Sequence, residues 1–353
     1  MLNQGHHTGG ELALLSRIRA RAQGARGHRL RLGIGDDCAL LAVASGEELA
    51  ITTDLSIDGR HFRLQWHPPE SIGHRVLARG LSDLAAMGAR PVAAFLSLGA
   101  PRELVVGAAA ARRRAGGRVP SWVDRFLDGF LALAHAYRTP LAGGDLAESP
   151  VAVADIVVAG AVPRGRALLR SAARPGDTLY VTGALGGAAA GLERLAKLAP
   201  GEGRSPAAGG GIGRLPRKLA QLAARHFYPQ PRVAQGILLA RRGVAAAAID
   251  LSDGLSTDVA HLCRESGVAA EIDAAALPLS PGATLEQALH GGEDYELLFT
   301  VRPGTRVPRQ IAGVAISRVG RIVRWRKDNP QITLLGPRGA APLEARGWEH
   351  FKN

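Results

Sequence analysis

Five short acidic motifs stand in apolar or glycine-rich surroundings: Gly35-Asp36-Asp37, Thr52-Thr53-Asp54, Ser82-Asp83, Gly143-Gly144-Asp145 and Asp250-Leu251-Ser252-Asp253. Carboxylates are costly to gather, because like charges repel and each one loses water on burial. A chain that delivers several of them to one place from apolar segments holds divalent cations there. Hard oxygen donors suit Mg²⁺, which bridges protein carboxylates to nucleotide phosphates. The chemistry that these residue types point to is phosphoryl transfer from ATP.

Each motif has a plainer alternative. Gly33 to Asp37 could be a turn, since Gly and Asp are favoured there. Thr52-Thr53-Asp54 is read as the end of an apolar strand, where its hydroxyls could cap a turn or bind a hard cation. Asp83 lies between Leu81 and Leu84 in a helical apolar pattern. Either Ser82-Asp83 breaks that helix or Asp83 points into a polar cavity. In Gly143-Gly144-Asp145 the glycines free backbone N–H groups for an anion, and the acid can hold its metal. Asp250 and Ser252 can face one way while Asp253 begins a turn, and Asp258, further on, is expected to face solvent. Gly291-Gly292-Glu293-Asp294-Tyr295-Glu296 packs three acids behind two glycines, a concentration that solubility alone does not explain. His61 follows Thr53-Asp54 closely, and Arg170 would suit a phosphate clamp. The sequence has no phosphate loop ending in Gly-Lys-Ser/Thr and no His-Arg-Asp or Asp-Phe-Gly set, which excludes the common ATP folds.

These residues need a framework of strands and helices. Glu11 to Gln23 has a helical apolar face, and short strands are expected over Leu30–Ile34, Ala39–Val43 and Glu48–Thr53. Ile72, Val76, Leu77, Leu81 and Leu84 predict a helix over Pro69–Met87. A strand over Ala93–Leu98, a helix over Ser121–Tyr137 and a buried strand over Val151–Val162 follow. Past Arg164 come the strand Thr178–Thr182, a helix opening at Gly183–Gly191, a helix over Val233–Arg242 and a strand over Ala245–Ile249. Ala199–Arg217 is read as a flexible loop. The alternation indicates an α/β domain over 1–162 and an α+β domain over 163–353.

With 353 residues, 46% of them apolar, the chain can bury a large core, and no apolar run reaches the roughly 20 residues of a membrane helix. Cys38 and Cys263 are too few for a disulfide framework, and a cytoplasmic location is expected. The formal charge of +13 does not imply a nucleic-acid partner, because nearly all of the excess is dispersed arginine and only 4% of residues are aromatic.

In order and together, Gly33 to Leu41, Thr52-Thr53-Asp54, Leu81 to Ala89, Gly143-Gly144-Asp145, Ala167 to Ser171, Asp250 to Leu255 and Gly291 to Leu297 closely resemble the thiamine-monophosphate kinase family. Tyr228-Pro229-Gln230-Pro231-Arg232 is similar to that family's turn before its second-domain helix. The resemblance implies the two-domain aminoimidazole ribonucleotide synthetase-like fold. It also implies a homodimer whose N-terminal sheets pair into a barrel, with ATP bound across the subunit interface. It makes Asp37, Thr52, Thr53, Asp54, Asp83, Asp145, Asp250 and Asp253 the Mg²⁺ ligands. Tyr137, Gly144, Asp145, Arg170 and Ser252 fall at ATP-contacting positions, and His61, Glu293 and Trp348 at positions that contact thiamine phosphate. Two departures stand out: Gly80 replaces the usual Asn, and Leu146 the usual Thr.

The implied reaction is ATP-dependent phosphorylation of thiamine monophosphate to thiamine diphosphate, with several Mg²⁺ ions and no phospho-enzyme. The alternatives are another ATP-dependent synthetase of the same superfamily, or a metal-dependent phosphatase that needs no ATP.

Overall fold

The computed structural model describes residues 11–22, 29–32, 34, 40–106, 120–198 and 223–348. In the N-terminal half, α1 (Glu11–Ala22) precedes a small antiparallel pair, β1 (Leu30–Leu32) and β2 (Leu40–Leu41). There follow β3 (Glu47–Ile57), α2 (Pro69–Ala86), β4 (Arg90–Ala100), α3 (Arg102–Val106), α4 (Trp122–Ala136), β5 (Leu141–Glu148) and β6 (Val153–Pro163). β3, β6, β4 and β5 lie side by side in that order, with β4 and β5 parallel and the other pairs antiparallel. β3 is therefore an edge strand.

α2 starts with Pro69 in its first turn, where a missing N–H costs nothing. α4 begins with a capping box in which Ser121 and Asp124 each accept from the other's backbone N–H. The two helices cross with their backbones almost touching. A Cβ added at Gly73 would sit 1.9 Å from the Phe126 carbonyl oxygen, and one at Gly129 would sit 1.8 Å from that of Glu70. This close approach seats α2 firmly between α4 and the inner face of the sheet.

The C-terminal half contains β7 (Thr178–Thr182), α5 (Gly187–Leu198), α6 (Val233–Arg241), β8 (Ala247–Asp250), α7 (Leu255–Ser266) and β9 (Ala269–Asp273). It continues with α8 (Leu285–His290), β10 (Leu297–Val301), β11 (Gln310–Ile311), β12 (Val314–Val323), β13 (Ile332–Gly336) and β14 (Gly339–Pro342). The strand order is β14-β13-β9-β12-β7-β10-β8, with β11 beside β12. One apolar core gathers Leu77, Leu81, Phe126 and Ile156 together with Leu239, Ala248 and Phe299, so α2 is shared by both halves. A second core, including Leu179, Ile249, Val259 and Ile272, lies within the C-terminal half.

One local expectation is corrected and one open alternative is settled. β3 runs on to Ile57, so Thr52-Thr53-Asp54 is mid-strand, where β-branched residues fit. Gly143-Gly144-Asp145 likewise lies inside β5. α2 passes through Ser82-Asp83 unbroken. Asp37 and the expected loop over 199–217 lie outside the described residues.

Candidate active site

Alternation along β3 turns Thr52, Asp54 and Ser56 toward α2 and turns Ile51, Thr53 and Leu55 outward. The Thr52 hydroxyl donates to the Asp83 carboxylate. Arg79 donates from Nε and Nη2 to Asp54 Oδ1, at 3.2 and 2.8 Å. Arg75, Arg79 and Asp83 follow each other at four-residue steps, so α2 carries them as one stripe. Burial and the nearby Asp54 charge push the Asp83 carboxyl up to about 6, against the Thr52 bond and the charges of Arg170 and Arg79.

The facing wall comes from β8, which ends on Asp250, only 2% exposed. Ser82 Oγ donates to Asp250 Oδ2 at 2.7 Å. Burial first, and then the charge of Asp83, raise this carboxyl to about 7, while Ser82 and Arg170 oppose the rise. Three acids from β3, α2 and β8 thus share one poorly solvated region.

Asp258 does not face solvent. Its carboxylate turns back to accept the N–H groups of Asp253 and Gly254, at 3.2 and 3.1 Å, and it is buried. The free amides of the loop before α7 need an acceptor, and a carboxylate in the first turn supplies one. Asp258, Asp253 and His261 have potential ligand atoms within 4.8 Å of one another.

The three acids of the Gly291–Glu296 segment do three separate jobs. Glu293 pairs with Arg75 and with His226 Nδ1, the latter at 3.1 Å. Asp294 accepts from the backbone N–H of Gly186 and Ala188, at 2.6 and 3.2 Å, where α5 begins. Glu296 accepts from the Thr182 hydroxyl at 2.6 Å and pairs with Arg232.

These walls enclose a cavity of about 930 Å³, lined by Asp54, His61, Asp83 and Asp250 and also by Ser252, Asp253, Glu293 and Trp348. His61 Nδ1 accepts from the Ile57 N–H at 3.1 Å. The backbone N–H of Trp348 donates to the Asp253 carbonyl at 3.0 Å, and a Cβ at Gly347 would fall 2.0 Å from that same oxygen. The C-terminal segment therefore lies directly on the Asp253 loop, with Trp348 at the cavity.

Other sequence-derived candidates lie elsewhere. Thr52 sits behind Asp83. Thr53 faces the opposite side of the sheet and donates to Asp155 at 2.9 Å. Strand register sets Leu55, Asp155, Ser97 and Asp145 in one row on that same outer side, with Gly144 next to Asp145. Tyr137 caps the C-terminus of α4 and donates its hydroxyl to the Pro231 carbonyl at 2.9 Å, away from the cavity lining. Arg170 is exposed in a 3₁₀ turn over Arg170–Ala172, and its charge reaches Asp83 and Asp250.

Gly80 packs beneath β6, where a Cβ would meet Val158 Cγ2 at 2.4 Å. Leu146 is half-buried against the main core. Sequence reasoning missed Arg75, Arg79, His67 and His226. Arg75 and Arg79 carried a signal, as charges four residues apart in a helix otherwise rich in apolar residues.

Comparison with known proteins places these features in context. The model of the AIR synthase related protein, N-terminal domain, matches residues 35–162, and that of the C-terminal domain matches residues 174–329. Thiamine-monophosphate kinase of Escherichia coli (strain K12) is 37% identical over 354 residues, covering 97% of this chain and 98% of that protein. The crystal structure of thiamine-monophosphate kinase from Stenotrophomonas maltophilia K279a aligns at 34% identity with a TM-score of 0.72, over 92% of this chain and 96% of that one. AaThiL complexed with AMPPCP and TMP aligns at 28% identity with a TM-score of 0.70, over 99% of this chain and all of that one, 100%. These likenesses span nearly the whole chain.

Proposed function

Because the chain belongs to the thiamine-monophosphate kinase family, within the AIR synthase related proteins, we propose that this cavity is where ATP phosphorylates thiamine monophosphate to thiamine diphosphate. The observation that carries this assignment is the convergence of Asp54, Asp83 and Asp250 from three separated segments onto one cavity.

The donor set fits Mg²⁺. Its side chains offer hard oxygens, and burial and mutual repulsion hold Asp83 and Asp250 above the ordinary carboxylate range, as expected where a cation is the natural partner. Asp54, Asp83 and Asp250 would hold the ions, and Asp253 a further one. Thr52, Thr53, Asp145 and Asp37 complete the set that the family resemblance implies. Bound there, Mg²⁺ supplies charge neutralisation between two polyanions and polarises the transferred phosphoryl group.

The protein's own side chains handle orientation. Arg170 is placed to clamp a phosphate, a role its planar fork suits, and Ser252 lies at the cavity wall beside the acids. Gly144 and Tyr137 remain ATP-contacting candidates. His61, Glu293 and Trp348 would contact the acceptor, and an aromatic such as Trp348 can stack on a cationic ring. The acceptor phosphate is already ionised, so no general base is required and no side chain is assigned as one. The transfer is direct and in line, without a phospho-enzyme.

We place the boundary between an N-terminal α/β domain and a C-terminal α+β domain at 162/163. The active form is a homodimer. Leu49, Ile51 and Leu55 are 45%, 66% and 47% exposed on the outer face of edge strand β3, an apolar stripe that pairing of two N-terminal sheets would cover. Thr53, Gly144 and Asp145 belong to the same outer side, where a second copy would meet them and complete an ATP site across the interface. Among the described residues no helix is long and apolar enough to cross a membrane, and the proposed setting is the cytoplasm.

The deciding experiment incubates the protein with Mg²⁺, ATP and thiamine monophosphate. Formation of thiamine diphosphate and ADP is expected. Phosphate release without ATP would indicate a phosphatase, and a labelled phospho-protein formed from ATP alone would exclude direct transfer.

A further inference from the structure

At the acceptor end of the cavity, with His67 and His226 in its lining, lies a buried chain of side chains that the transfer step does not use. His67, His226 and Arg75 are 2%, 1% and 4% exposed. His67 Nε2 is 2.9 Å from His226 Nε2, and His226 Nδ1 is 3.1 Å from Glu293 Oε2. Arg75 donates to Glu293 Oε1, to the His226 carbonyl and, at 3.1 Å, to the His61 carbonyl. The backbone N–H of Glu293 donates to the Ser252 carbonyl at 2.8 Å. Glu293 itself sits in the left-handed region, at φ 67°, which a non-glycine residue adopts only when its surroundings impose it.

Two neighbours compete for His226 Nδ1, the Glu293 carboxylate at 3.1 Å and Arg75 Nη1 at 3.3 Å, and the shorter contact selects the direction of the hydrogen bonds. A neutral imidazole carries a single N–H, and an ionised carboxylate can only accept. Burial works to raise the Glu293 carboxyl, but Arg75 and His226 outweigh it and hold the group well below the usual range. Burial, followed by the Arg75 charge, lowers both histidines, so each is neutral. The His226 proton must then be on Nδ1, facing Glu293, which leaves Nε2 as an acceptor. His67 must donate from its Nε2, leaving its Nδ1 to accept the Arg63 N–H at 3.1 Å. In the opposite order His67 Nδ1 would donate to the Arg63 carbonyl, also at 3.1 Å, and His226 Nδ1 would accept from Arg75 Nη1 at 3.3 Å, but its lone pair would then face the closer Glu293 carboxylate.

We infer that Arg75, His226 and His67 are positioning residues for the phosphate acceptor, fixing Glu293 in one ionised orientation at the cavity wall. This rests on the thiamine-monophosphate reading of the cavity. Each Glu293 oxygen takes one hydrogen bond from the protein and keeps lone pairs for the ligand. What a fixed carboxylate recognises is an N–H donor or a positive charge on a ring, and thiamine monophosphate carries both. His67 reaches Glu293 only through His226 but also lines the cavity, so a variant that keeps its N–H is compared with one that lacks it to separate positioning from contact.

The test compares two His67 variants by steady-state kinetics, varying each substrate separately. His67→Gln keeps an N–H for His226 and should leave KM for thiamine monophosphate within about twofold of the parent. His67→Met, with no donor, should raise that KM on the order of tenfold while KM for ATP and kcat hold, the scale typical of losing a supporting hydrogen bond. Equal KM values in the two variants, or parallel changes in kcat and both KM values, would overturn the inference. Imidazole ¹⁵N spectra of the parent protein give a second, activity-independent readout. Nδ1–H on His226 and Nε2–H on His67 are expected, and the reverse pair would refute the direction of the chain even if His67→Met failed to fold. A parent protein that makes no thiamine diphosphate would instead sink the functional assignment, leaving the tautomers to be judged alone.

Discussion

Ser82 Oγ donates to Asp250 Oδ2 across 2.7 Å, joining the C-terminal part of helix α2 to the last residue of strand β8, 168 positions away. Both residues are buried, so the bond is made without competition from water. It links the N-terminal acids to the C-terminal acid and sets how closely they approach. Ser82→Ala would leave a buried carboxyl oxygen without that donor. A loss of about 1–2 kcal/mol is expected in urea unfolding, the scale of an unmade buried hydrogen bond. Unchanged stability would mean that Asp250 finds another partner.

Asp54→Asn and Asp83→Asn remove charge from the cavity without changing side-chain size. Turnover should fall by at least about a thousandfold, corresponding to several kcal/mol of lost metal-assisted stabilisation. Circular dichroism should show the fold retained. Near-parental formation of thiamine diphosphate in either variant would show that the metal positions are misassigned.

The raised carboxyls give a pH signature. Asp83 and Asp250 ionise near 6 and 7 in the folded protein instead of near 3.8, so without metal the folded state binds protons more tightly than the unfolded one. Stability should therefore fall as pH rises from about 4 to about 7. Mg²⁺ binds the ionised forms, so the rise in Tm that it produces should be larger at about pH 8 than at about pH 5. An equal rise at both would separate these two carboxyls from the ion.

Gly80→Asn restores the residue usual in the family but meets a crowded site in this chain. Its Cβ would fall 2.4 Å from Val158 Cγ2. Overpacking of this kind costs about 1–3 kcal/mol, to be measured as a drop in thermal stability. Adding Val158→Ala should recover part of it, and purely additive losses would show that the two positions do not compete for space.

Ile51→Arg places a charge in the exposed stripe of β3, between Leu49 and Leu55. Light scattering should show a dimer in the parent and a monomer in the variant, with activity lost alongside. A monomeric, active variant would show that one copy holds the whole site.

Much of the framework was legible in local pattern. Apolar spacing from Ile72 to Leu84 marked α2, and its ends fall within a residue of those expected. The strand Thr178–Thr182 agrees at both ends. Strand and helix periods are short-range properties, so neighbouring residues suffice to reveal them. The acidic motifs also announced themselves, because a carboxylate in apolar surroundings is costly wherever it occurs.

Local pattern was thus enough to tell which side chains could do chemistry and on which elements they ride. Which of them meet was set by the folded arrangement. One step along β3 sends Asp54 into the cavity and Thr53 to the outer face, a distinction set by which side of the sheet α2 covers. Arg75 reaches Glu293 over 218 positions, and Asp258 turns inward to serve loop amides. Contacts of that range depend on how the two sheets close around α2, and no local period encodes that closure.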